Sequence, residues 1–151
     1  MAYTANKLMT CALRRLLDFD PDSGSEIVAT LNPAATEKCL PFSAGVARVL
    51  VGLMRSVGTG TVSTFRIFVA DNAAGTTNAA NVVSHAIGSA PDAVGDTVWL
   101  EATAEQLRAA SSTAAYWGVK ITLQTSTDEC VLSVEQHQRH TYDGLTADYI
   151  S

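Results

Sequence analysis

Positive charge is scarce in this sequence: ten lysine and arginine residues stand against fifteen aspartate and glutamate, a formal net charge of −5. Only Arg14 and Arg15 are adjacent, and no cluster of cations forms. Gripping phosphates takes several cations on one surface, so nucleic acid is excluded as an expected partner. Long apolar runs are missing too. None approaches the roughly eighteen residues that a membrane-crossing helix requires, so no membrane partner is expected. Cysteines are too few for a disulfide framework. Cys11, Cys39 and Cys130 are odd in number and lack C-x-x-C spacing, which sets the expectation of three reduced, buried thiols. The start, Met1-Ala2-Tyr3-Thr4, shows no charged segment leading into an apolar one, so synthesis in the cytoplasm without a signal peptide is expected.

Catalytic and metal-binding motifs are equally thin. Asp18, Asp20 and Asp22 have the opening of a calcium loop, but Ser23 and Ala29 occupy the places of its turn glycine and bidentate glutamate. An acidic turn is the simpler reading. His137 and His140 are three apart at the end of an extended segment, which sends their side chains to opposite faces rather than to one zinc ion. Gly58-x-Gly60 is followed by Ser63 and joins two extended segments, the wrong context for a nucleotide loop. No G-x-S-x-G elbow occurs. The expectation is a protein that is not an enzyme, with no cofactor and no metal.

What the sequence does hold is alternation. From Tyr116 to Gln124, Trp117, Val119, Ile121 and Leu123 leave one side and Tyr116, Gly118, Lys120, Thr122 and Gln124 the other, the mark of a half-buried strand. Burying those four apolar side chains is worth on the order of 6–12 kcal/mol before entropy is counted. After the polar Ser126-Thr127-Asp128, Cys130, Leu132 and Val134 resume the pattern, so 116–139 reads as two strands joined by a hairpin. Val62 to Ala70 alternates likewise, with Phe65, Ile67 and Val69 inward. Val46 to Ser56 is apolar on both sides, as suits a central or doubly covered strand. Further short strands are read at Glu26–Leu31, Asn81–Ile87 and Asp96–Ala102. Lys7–Leu17 fits a helical stripe through Leu8, Ala12 and Leu16, favoured by propensity, and less well a covering edge strand. Thr103 followed by Gln106 has capping-box spacing and opens a short helix to about Ala110.

With 151 residues, 47% of them hydrophobic and 17% charged, the chain is expected to be a single domain over 1–151 with a sizeable core. Residues 1–6 read as an extended arm and 140–151 as a tail. Seven or eight short strands with one or two short helices give an antiparallel β-sandwich, jelly-roll-like by preference and immunoglobulin-like second. Trp99 faces away from the core if Val98 and Leu100 face it. It then marks a contact surface, unless the following helix covers it. Tyr142, Leu145, Tyr149 and Ile150 are apolar residues in an otherwise polar tail, which suits docking on the chain's own sandwich or on a neighbour.

The small-residue loop Asp71–Ala80, the run Gly95–Glu101, the strand Tyr116–Thr125 with Thr127-Asp128-Glu129-Cys130 behind it, and the tail Tyr142–Asp148 together carry a resemblance. The chain resembles the β-sandwich decoration, or cement, proteins of tailed-phage heads. That resemblance implies a homo-oligomer, a trimer, on the outer capsid surface of the virion, stabilising contacts between major capsid subunits without catalysis. Assembly contacts would then fall on Tyr3, Trp99, Tyr142, Leu145, Tyr149 and Ile150. The alternative is a carbohydrate- or ligand-binding sandwich of a phage tail or another surface assembly. Aromatics at 7% give such a module few stacking platforms.

Overall fold

A computed structural model describes residues 26–42, 45–57, 62–85, 93–123 and 129–139, with 9–19, Val57, Ser63, Leu123 and Arg139 described by their backbone alone. Two antiparallel sheets make up most of it. The first runs in the order β1 (Met9–Phe19), β9 (Glu129–Arg139), β4 (Val46–Val57), β7 (Thr97–Thr103). The second runs β2 (Ile27–Val28), β8 (Tyr116–Leu123), β5 (Val62–Ala70), β6 (Ala80–His85), and the two-residue β3 (Leu40–Pro41) also pairs with β8. The chain is mainly β, with one α-helix among the described residues, α1 (Ala104–Ala110).

The period-two residues form the core as their alternation requires. Val49, Val51 and Leu53 of β4, Val98, Leu100 and Ala102 of β7, and Leu132 and Val134 of β9 belong to one buried cluster. So do Phe65, Ile67 and Val69 of β5 and Trp117, Val119 and Ile121 of β8. The two sheets therefore face each other across a shared apolar layer. Trp117 completes the seam by donating its Nε1–H to Gln136 Oε1 at 2.7 Å, a bond buried between β8 and β9. α1 adds the fully buried Leu107 to the same cluster. Its start is a complete capping box: Gln106 N–H donates to Thr103 Oγ1 at 3.3 Å, and Thr103 N–H donates to Gln106 Oε1 at 2.9 Å.

Three expectations need correction. Residues 116–139 are not a hairpin. β8 pairs with β2, β3 and β5, whereas β9 pairs with β1 and β4 in the opposite sheet. Alternation says which face of a strand is buried, and both strands do bury theirs. They do so from opposite sides of one core, an outcome that a polar connection permits as readily as a hairpin.

Lys7–Leu17 does not form the favoured helix, since β1 covers most of it. β1 pairs with β9 through a register shift between Cys11 and Leu13. Before the shift Cys11 lies opposite His137; after it Leu13, Arg15 and Leu17 lie opposite Gln136, Val134 and Leu132. The extra residue, Ala12, breaks the period of two and leaves a pattern that mimics a helical stripe. Ten paired positions along β9 outweigh a weak helix propensity.

Glu26–Leu31 holds only the two-residue β2, and β3 was missed. Both border β8, separated by an excursion through a 3-10 turn at Pro33–Ala35 that the Asn32–Glu37 bridge closes. Two residues of pairing leave too short a pattern to read.

Candidate functional site

The two outer faces of the sandwich differ. On the second sheet, Phe68 and Ala70 of β5 would meet solvent, but they are fully buried with Cys39 in a second, smaller cluster flanked by Val28 and Tyr116. The small-residue segment 71–79 covers them. Cys39 N–H donates to Ala73 O at 2.9 Å, tying this segment to the β2–β3 excursion. Asn72 Oδ1 accepts from the N–H groups of Thr76 and Thr77 at 2.9 and 3.2 Å and shapes the turn. Gly75 sits at φ +73°, where a Cβ would lie 2.8 Å from the Phe68 ring and 2.9 Å from Cys39 Sγ. Glycine is required there both by backbone conformation and by close approach. Above the cluster, Glu26 pairs with Arg66 at 3.1 Å and Lys120 at 3.6 Å, and Lys120 Nζ lies 4.8 Å from the Phe68 ring centroid.

Burial in this cluster pushes the Cys39 thiol up from 9.0 to about 11, with the Lys120 charge pulling weakly the other way. The folded state therefore holds the thiol proton more tightly than the unfolded chain does. That contribution to stability is fully present below pH 9 and is lost as pH rises toward about 11. We expect Cys39 to resist alkylation in the native protein below pH 9 and to react once urea unfolds the chain, with the urea midpoint falling between pH 9 and 11. Native alkylation at the unfolded rate would show that the 71–79 cover is not closed. Cys39 and Cys130 are both buried thiols outside any disulfide; the side chain of Cys11 lies outside the described set.

Among the described residues, none forms such a cover over the β4–β7 side of the first sheet's outer face. Trp99 on β7 is 52% exposed and Met54 on β4 is 39% exposed. Trp99 lies opposite Gly52, and a Cβ at Gly52 would come within 2.7 Å of the indole ring. The glycine thus gives the ring a flat bed across β4. Met54 is the diagonal neighbour of Trp99, being paired with Thr97 on β7 and with the half-buried Val131 on β9. Further along the same face the character turns ionic. Arg48 pairs with Glu101 at 3.4 Å, and His137 Nε2 lies 3.0 Å from Glu135 Oε2. The face therefore joins an apolar patch to a polar border. α1 leaves Trp99 half exposed, so the alternative in which that helix shields the ring is corrected: its fully buried Leu107 joins the shared core instead.

The remaining residues singled out from sequence fare differently. Tyr3, Tyr142, Leu145, Tyr149 and Ile150 lie outside the described residues, as do Asp20, Asp22 and His140. His137 is engaged with Glu135. Ser133 and His137 share a face of β9 but are four residues apart, about 13 Å along a strand, too far for a nucleophile–base pair. Among the described residues no group of three His, Cys, Asp or Glu side chains is placed to hold a metal. Gly52 was not foreseen as part of the patch, although an isolated glycine within a strand is the usual sign of a close approach. The chain matches no known protein family, no characterised protein and no solved structure.

Proposed function

We propose that this protein is a non-catalytic virion component, a decoration protein that binds the outer surface of a phage head and braces contacts between major capsid subunits. The observation that carries the reading is Trp99, half exposed on a glycine bed beside Met54, on a sheet face that the described residues leave open. A large aromatic surrounded by apolar and then polar groups has the anatomy of an interface centre and rim. The strand order supports a jelly roll beneath it. With the two-residue β3 set aside and the other eight strands renumbered, the sheets read 1-8-3-6 and 2-7-4-5, as in a ribbon wound into two Greek keys.

The test is sedimentation with expanded heads of the phage whose genome carries this sequence. Trp99→Glu is expected to weaken the affinity for heads at least tenfold, about 1.4 kcal/mol, while leaving the melting temperature in place because the ring packs only on the surface. Full occupancy by the variant would remove Trp99 from the interface. Failure of the wild type to bind heads, together with quenching of Trp99 fluorescence by oligosaccharides, would favour the ligand-binding alternative, because an exposed indole on a sheet face also suits a sugar ring.

A further inference from the structure

The sandwich has four sheet edges, and three are unsuited to accepting another strand. The β2–β3 edge consists of two two-residue pieces separated by an excursion. The pairing of β1 carries a register shift, as does that of β6. β7 differs. Its seven pairs with β4, from Arg48–Thr103 to Met54–Thr97, run without a shift, and among the described residues no strand lies on its other side. Its sequence, Thr-Val-Trp-Leu-Glu-Ala-Thr, contains no proline and no lysine, the usual devices that block strand addition.

The hydrogen bonds at both ends of β7 set which of its main-chain groups are free. Arg55 N–H donates to Asp96 O at 3.1 Å and Gly95 N–H donates to Arg55 O at 2.9 Å, so Arg55 bonds toward β7. Antiparallel pairs alternate between bonded and non-bonded, so Val98, Leu100 and Ala102 turn their main-chain groups to β4. Thr97, Trp99, Glu101 and Thr103 turn theirs to the open side. Thr103 N–H is taken by Gln106 Oε1, in agreement with this phase. The capping box thus closes the edge at Thr103 and leaves it open from Thr97 to Glu101.

We infer that this edge pairs with β7 of a second copy of the chain, antiparallel and two-fold symmetric about Trp99. This register uses every free main-chain group on the open segment, since Trp99 meets the partner's Trp99 and Thr97 meets the partner's Glu101, twice. It is also compatible in charge for an acidic protein. Each Glu101 faces a threonine, and the two Glu101 residues stand about 13 Å apart. Directly opposed side chains share a face, so the two Trp99–Met54 patches merge on one side of a continuous eight-stranded sheet. The inference rests on main-chain geometry and stands apart from the capsid reading. A two-fold dimer competes with the trimer that the resemblance implies.

Light scattering during size-exclusion chromatography tests it. The wild type and Glu101→Ala should be dimeric. Relative to that alanine control, which already lacks the Arg48 ion pair, Glu101→Pro removes an outward N–H, so it should keep the β4 ladder and weaken association at least tenfold. The register has its own readout, independent of that variant's folding. Thr97→Cys mixed with Glu101→Cys should give an intermolecular disulfide under mild oxidation, while neither variant alone should cross-link between the new cysteines. A monomeric wild type, a trimer, or a folded Glu101→Pro protein that stays dimeric would overturn the pairing. So would cross-linking of either single variant in place of the mixture.

Discussion

Replacing Trp117 with alanine is expected to cost about 3–5 kcal/mol of unfolding free energy, the range for a large aromatic removed from a closed core. Trp117 heads the fully buried side chains by volume, and it is the residue through which β8 reaches the opposite sheet. The loss has two parts. One is the cavity left beside Leu40 and Val69, its buried register partners on β3 and β5, which the strands cannot close without giving up register. The other is Gln136 Oε1, which loses the 2.7 Å bond from the indole N–H in a buried setting, at a cost of about 1–3 kcal/mol. Trp117→Phe separates them, since it keeps most of the apolar volume and removes the bond. Denaturant titration should place the phenylalanine variant between the wild type and the alanine variant. A loss below about 1 kcal/mol for alanine would mean that the inner faces of β8 and β9 do not meet as described.

That contact also shows how far the sequence could be read. The inward phase of β8, β9, β5 and β7 was legible at every position whose side chain is described, because burial on one face imposes a strict period of two; the side chain of Leu123 lies outside that set. The outward position of Trp99 followed from the same phase. What the period does not encode is the partner of each strand. β8 and β9 looked like neighbours in one sheet, and Trp117 and Gln136 instead meet across the core. A single added residue at Ala12 was enough to disguise β1. β2 and β3 were too short to carry a pattern, being borrowed edges that β8 stabilises. The apolar half of the candidate face was half visible. Trp99 was found by phase and Met54 was read only as part of an apolar strand. Gly52 gains its meaning only from the ring lying on it.

Phe68 is the residue on which alternation misleads most, and its replacement supplies the sharpest contrast between the two outer faces. It points away from the shared core, so phase alone predicts an exposed ring whose loss matters little. Instead it is fully buried beneath Gly75 and Cys39, and Gly118 leaves it room from below: a Cβ at Gly118 would lie 2.7 Å from the ring. Phe68→Ala should therefore cost about 3–5 kcal/mol, as a core position would, and should open the 71–79 segment to proteolysis. Met54→Ala, equally outward on the other sheet, should cost less than about 1 kcal/mol, because its side chain already meets solvent. Paired urea titrations of the two variants make the comparison directly. Similar small losses would show that the 71–79 cover is loose and that both faces are open. A large loss at Phe68 with none at Met54 would mean that the chain seals one outer face with its own loops. Among the described residues nothing would then cover Trp99 and Met54, and the free energy of covering them would be available to a partner.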